Sequence, residues 1–283
     1  LVPVAAKFGC HHPAFPLQPS LAAFTLNPPT MLNLDNERRQ GLGTIKYRFF
    51  QINWIKTLWF NFKALPMRYA LRIPILISWN VKVRSVGRIS ISDPVTPGMI
   101  SIGVIKIDPW ETNADQIIFC NEGHITFGGR TKIHPGVRLT VQPNAELTLG
   151  ERALFGCKCR VVCARSITLG HDVRFSWECQ LFDTDFHFLT NLNTGRVHPR
   201  QLPVRIGDNV FIGNRCTLGK GTILPNGSVV SCCSKVSGDY SAEGENILIV
   251  GNPAKVVGKG YSMGSGWYPE AEAQIAQQME QMP

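Results

Sequence analysis

The large apolar residues of this chain recur every six positions from Phe127 to Val236. Phe, Ile, Leu or Val opens a unit at 127, 133, 139, 149, 155, 161, 169, 175, 181, 206, 212, 218, 224, 230 and 236. Glycine follows the opener at 128, 150, 156, 170, 207, 213 and 219. Four residues after an opener comes a small or β-branched residue, as at Thr131, Val137, Ala153, Cys159, Val173, Cys179, Val210, Cys216, Thr222, Ser228 and Ser234. Six matches neither the period of a helix nor the two-residue alternation of a strand. It predicts a short strand and a corner, repeated and stacked as an all-β parallel β-helix. Each unit sends one large and one small side chain inward. No coil buries its inner face alone, so coils stack about 4.8 Å apart into one core. Glycine after the opener is expected to admit corner angles that a Cβ would penalise.

Breaks in the register carry as much as the repeat. The openers step by ten from Leu139 to Leu149 and by eight from Val161 to Leu169, which predicts small corner insertions. Between Leu181 and Ile206 the step is 25, so a long loop leaves the coil there. Such a loop in a compact repeat is usually functional or disordered. Upstream, Val81, Val83, Ile89, Ile91, Ile100, Ile102 and Val104 alternate as short strands. These predict first, irregular coils or a cap on them. Ile45, Phe49, Ile52, Ile55, Trp59 and Phe62 recur at helical spacing, predicting an amphipathic helix over 45–63 that Pro66 ends. After a flexible link at 260–266, Pro269–Met282 reads as a short C-terminal helix. The predicted organisation is a disordered leader at 1–30, a basic amphipathic extension at 31–99, the β-helix at 100–260 and a tail at 261–283. The leader is rich in proline and fails as a signal peptide or span, and Met31 is a more natural start.

Three segments carry a family likeness: IGDNVFIGNRCTLGKGTILPNGSVV at 206–230, VGNPAKVVG at 250–258 and SWECQLFDTDFH at 176–187. With them the chain resembles the hexapeptide-repeat acyltransferases over roughly residues 100–260. It is most similar to the branch that acetylates sugars, including maltose, galactoside and cell-surface polysaccharide acetyltransferases. The resemblance implies a left-handed coil, acetyl-CoA as donor, a sugar acceptor, and a cytoplasmic homotrimer with each site between two subunits. It implies that Phe211, Gly213, Ser231 and Lys255, with Lys259 nearby, meet the donor. Three departures touch that carry-over. Phe211 stands where many sugar acetyltransferases have Trp, Gly156 or Lys158 where an asparagine is common, and Gly238 where a lysine is common.

The resemblance also puts His187 at the chemical centre. Moving an acetyl group from a thioester to a hydroxyl needs a base that works near neutral pH, which histidine supplies. Asp183 and Asp185 precede it at two-residue spacing, so in an extended strand both would share its face. Either could orient the imidazole and stabilise the imidazolium. Asp185 would occupy the small inward position of its unit. So either it pairs with a buried group or the strand leaves the coil before it.

Composition and charge narrow the partners. From Arg38 to Ser92 there are eleven Lys or Arg and no Asp or Glu, with Tyr47, Trp54, Trp59 and Trp79 among them. Two readings follow: peripheral attachment to an anionic membrane, on the inner face for a cytoplasmic enzyme, or a helix packed on its own β-helix with a solvated basic face. No nucleic-acid motif accompanies the charge. Of nine cysteines, Cys159, Cys179 and Cys216 fall on the small inward position as compact apolar fillers. An odd count without paired spacing suits a reducing compartment. The adjacent Cys232 and Cys233 have no account. Competing functions are N-acetylation of an amino-sugar nucleotide, a metal-dependent carbonic-anhydrase-like activity, and a non-enzymatic scaffold. No metal is expected, because close histidine spacing is missing.

Overall fold

The computed structural model describes residues 49–104, 115–263 and Met279. The leader expected at 1–30, the start of the expected 45–63 helix and all but one residue of the expected 269–282 helix lie outside the described residues. Three parallel sheets wind through the rest. Sheet one holds β1 (Ile75–Ile77), β4 (Ile100–Ile102), β7 (Thr131–Ile133), β10 (Ala153–Phe155), β13 (Arg174–Phe175), β18 (Phe211–Ile212), β21 (Val229–Val230) and β23 (Ile247–Gly251). An antiparallel β24 (Ala254–Lys259) closes it. Sheet two runs β2 (Val81–Ser85), β5 (Ile117–Asn121), β8 (Arg138–Val141), β11 (Arg160–Cys163), β14 (Gln180–Phe182), β19 (Thr217–Leu218) and β22 (Lys235–Val236). Sheet three runs β3 (Arg88–Ile91), β6 (His124–Phe127), β9 (Glu146–Leu149), β12 (Ser166–Leu169), β17 (Val204–Ile206) and β20 (Ile223–Leu224). Successive strands visit sheets one, two and three in turn, which is the predicted all-β left-handed β-helix. The coils begin at Ile75, so residue 100, expected to open the β-helix, falls within the stack.

Register explains the repeat. Ile133, Phe155, Phe175, Ile212 and Val230 are consecutive partners up sheet one, and every opener is buried. The rings of Phe155 and Phe175 stack with centroids 5.3 Å apart. The small positions are buried too, and the Cys159, Cys179 and Cys216 thiols donate to the Ser176, Gly213 and Ser231 carbonyls, each at 3.0 Å. From Phe127 to Val236, steps from sheet three to one and from sheet one to two are six residues, whereas the earlier coil spends eleven from Ile91 to Ile102 and seventeen from Ile102 to Phe119. Within the repeat the longer steps, 139 to 149, 161 to 169 and 181 to 206, all fall between sheets two and three.

The role expected of the repeat's glycines is corrected. Gly150 and Gly156 do not have positive φ. Instead, a Cβ on Gly150 would strike the Gly170 carbonyl oxygen, and one on Gly156 would lie 2.6 Å from the Ser176 carbonyl carbon. These glycines allow close stacking between coils. The left-handed turn falls two residues later, at Arg152, Lys158, Asp172, Asn209 and Arg215, with φ between 55° and 63°.

The helix α1 (Trp54–Ala64) starts later than the apolar spacing predicts. Phe49–Gln51 are helical, but Ile52 bridges to Ser78, and the Asn53 side chain accepts from the Lys56 N–H at 2.9 Å, capping α1. A short α2 (Met67–Ala70) follows Pro66. The helix turns Thr57, Phe60 and Asn61 inward. Asn61 Nδ2 donates to the Ile75 carbonyl at 2.7 Å, and its Oδ1 accepts from the Ile75 N–H at 3.1 Å. Thr57 Oγ1 accepts from the Ile77 N–H at 3.1 Å. Two polar side chains one turn apart thus pair the free edge of β1, where unpaired backbone groups would be costly. Phe60 meets Phe119 edge to face at 5.4 Å and fills the end of the core. Among the described residues no helix is long and apolar enough to cross a membrane.

Candidate active site

The 25-residue step leaves the coil after β14 and returns at β17. Its stem is antiparallel: the Asp185 N–H donates to the Arg200 carbonyl at 3.0 Å, and the Leu202 N–H to the Asp183 carbonyl at 3.0 Å. Further out, β15 (Leu189–Thr190) pairs with β16 (Val197–His198). His187 sits between stem and tip, just after Phe186, which takes a positive φ of 65° and donates its N–H to Thr184 Oγ1 at 3.0 Å. The loop is exposed, including Phe188, Leu189, Leu192 and Val197, and Arg200 lies over the Phe188 ring at 5.3 Å. The imidazole of His187 is exposed and has no hydrogen-bond partner among the described residues.

The two aspartates part company with that histidine. Asp183 is fully buried, and its carboxylate accepts from the N–H groups of Ala164, Arg165 and Ser166, each at 2.7 Å. Those residues form the inserted corner between β11 and β12, so Asp183 pins one coil to the next. Its expected role as orienter of His187 is therefore corrected: the buried carboxylate is held by three backbone donors of the previous coil and makes no hydrogen bond to the imidazole. Burial, and then the neighbouring Asp183 charge, push the Cys163 thiol up to about 12. Asp185 is exposed because the strand leaves the coil at 183, as the second sequence reading required. It forms an ion pair with Lys220, whose ammonium also donates to the Pro199 carbonyl at 2.6 Å. Neither carboxylate bonds the imidazole.

Lys220 was not singled out by the sequence. It sits in the corner between β19 and β20, one coil beyond the loop's origin, and clamps both arms of the stem. Its only signal was a cation in the two-to-three corner beside the loop, and that signal is weak without the fold.

The donor-side residues lie elsewhere. Phe211 is a half-buried, outward residue of β18, and Gly213 and Ser231 occupy corners between sheets one and two. Lys255 and Lys259 are exposed on β24. Lys259 stands 3.6 Å from Glu243, whereas Lys255 has no acidic partner among the described residues. Gly251, Asn252 and Pro253 form the tight turn of the β23–β24 hairpin, where the closing turn was expected. One chain therefore does not gather His187 and these residues: the histidine leaves the corner of sheets two and three, and the others line sheet one and its edge. Among the described residues no three His, Cys, Asp or Glu side chains come together as a metal site.

Stacked hexads, one long loop at a single corner and a closing hairpin make the fold a parallel β-helix built of six-residue repeats. Residues 203–232 match the family model described as the hexapeptide repeat of succinyl-transferase. Over 149 residues the chain is 27% identical to WbbJ of Escherichia coli (strain K12), a protein named as a lipopolysaccharide biosynthesis O-acetyl transferase. That match covers 49% of this chain and 74% of the relative. Among solved structures, the polySia-specific acetyltransferase NeuO is 16% identical with a TM-score of 0.44, over 74% of this chain and 88% of that one. AntD, an N-acyltransferase from Bacillus cereus solved with dTDP and Coenzyme A, is 14% identical with a TM-score of 0.34, over 74% and 89%. The resemblance to hexapeptide-repeat acyltransferases drawn from the sequence is borne out by the matched repeat and the relative.

Proposed function

We propose that this chain is an acetyl-CoA-dependent O-acetyltransferase acting on a sugar hydroxyl of a cell-surface polysaccharide or of its lipid-linked or nucleotide precursor. The observation that supports it most is the 149-residue match to a lipopolysaccharide O-acetyl transferase, which spans 74% of that relative. In this reading His187 removes the proton from the sugar hydroxyl as its oxygen attacks the acetyl carbonyl. The carbon–oxygen bond forms, the carbon–sulfur bond breaks, and the proton passes from the imidazolium to the departing CoA sulfur. Asp185, held by Lys220, positions the loop rather than the ring. Backbone N–H groups would stabilise the tetrahedral oxyanion. Phe211, Gly213 and Ser231 would wall the pantetheine arm, and Lys255 is the better phosphate partner because Glu243 competes for Lys259. The enzyme would work as a cytoplasmic homotrimer, one subunit lending His187 and its neighbour the donor wall. The division of these residues between two faces of one chain favours that arrangement.

Purified protein is assayed for CoA release with acetyl-CoA and candidate sugar acceptors. His187→Ala is expected to keep the fold and assembly and to lower turnover by about a hundredfold or more. Near-normal transfer by that variant would remove His187 from the mechanism. Product lability to mild alkali separates an ester from the amide that an amino-sugar acceptor would give.

A further inference from the structure

We propose that the N-terminal pole of the β-helix docks on an anionic lipid surface, with α1 lying in the interface. This goes beyond the acyl-transfer reading and does not depend on it. In α1 the usual sides are exchanged. Thr57, Phe60 and Asn61 face the coils, while Ile55, Leu58, Trp59 and Phe62, at i, i+3, i+4 and i+7, are 82, 40, 50 and 46% exposed. A helix that spends polar residues inward and leaves its aromatic stripe in water is built to meet something apolar. Beyond α1, Met67 and Leu71 are 64 and 66% exposed, and Trp79, whose carbonyl accepts from the Lys56 ammonium at 3.2 Å, is 61% exposed. The Trp79 indole N–H donates to the Phe50 carbonyl at 3.1 Å, tying the segment before α1 to the start of β2.

Charge identifies the occupant. Lys63, Arg68, Arg72 and Lys82 are exposed around the stripe, and no acid occurs between Arg38 and Ser92. A second copy meeting this face by a two-fold contact would set cations against cations. A lipid interface of anionic headgroups meets every cation at once and accepts tryptophan and phenylalanine without a shaped pocket.

The test is co-sedimentation of the full chain with vesicles of phosphatidylethanolamine and phosphatidylglycerol, against vesicles of phosphatidylcholine alone. Binding to the anionic vesicles, weakened by salt and absent from the neutral ones, is expected. Ile55→Ser/Trp59→Ser and Lys63→Glu/Arg68→Glu should each cut partitioning about tenfold or more while leaving transfer to a soluble acceptor unchanged. The proposal is overturned if the unaltered chain ignores anionic vesicles or if both double variants bind as well as it does. It also fails if Ile55→Ser/Trp59→Ser changes the assembly mass by light scattering, since a second copy would then be the occupant. Protection of Trp59 from hydroxyl radicals before any lipid is added would assign the stripe to another part of this chain, with the same consequence.

Discussion

Asp183 and His187 are four residues apart and have opposite surroundings. One is sealed among three backbone donors, and the other is exposed on a loop with nothing bonded to its ring. Period-two spacing put both on one face, and it would have done so had the strand continued. The strand ends at Phe182, and the donors that claim Asp183 come from the previous coil, 17 to 19 residues earlier. No local pattern announces such a partner. Asp183→Asn keeps the size but turns an NH2 group toward backbone N–H donors. It is expected to destabilise the protein by about 2–4 kcal/mol, read from denaturant midpoints. If stability were unchanged, the carboxylate would not be holding that corner.

Elements were legible where the core dictates them. Every predicted opener is buried, because a six-residue unit with one large side chain has one way to hide it in a stack. The reason for the glycines was misread, since contact between coils is invisible in a single unit. The N-terminal helix was legible in part. Its apolar stripe was plain, yet the edge of β1 needed hydrogen-bonding partners more than further apolar cover. Thr57 and Asn61 supply them. Asn61→Leu should leave the N–H and carbonyl of Ile75 unpaired and cost about 2–4 kcal/mol. Amide exchange would then quicken at Ile75 and Ile77 ahead of later coils, whereas uniform exchange would contradict an edge-capping role.

For the whole molecule, the proposed mechanism needs His187 and Phe211 from two subunits, so in that reading assembly becomes a matter of chemistry. His187→Ala and Phe211→Asp chains, each inactive alone, are expected to regain activity when unfolded and refolded together. About a quarter of the wild-type rate should return, the share of neighbours in a random three-fold ring that pair an intact histidine with an intact donor wall. Absence of any recovery would place both halves of the site in one subunit. The trimer and the donor contacts were read from likeness alone, and a lone chain holds no signal of what its neighbour contributes.

One more consequence follows from where the long steps fall. From Phe127 onward two edges of the rod keep six-residue steps and, where glycine follows the opener, press the coils closely together. At the third, a Cβ on Gly219 would find its nearest neighbours 3.8 and 3.9 Å away, and the additions of two, four and nineteen residues all leave from that edge. Across the hexad repeat, length can therefore be gained or traded along this seam without disturbing the stack. Swapping the 183–203 excursion for another should retune which acceptor is recognised while the rod beneath keeps its shape.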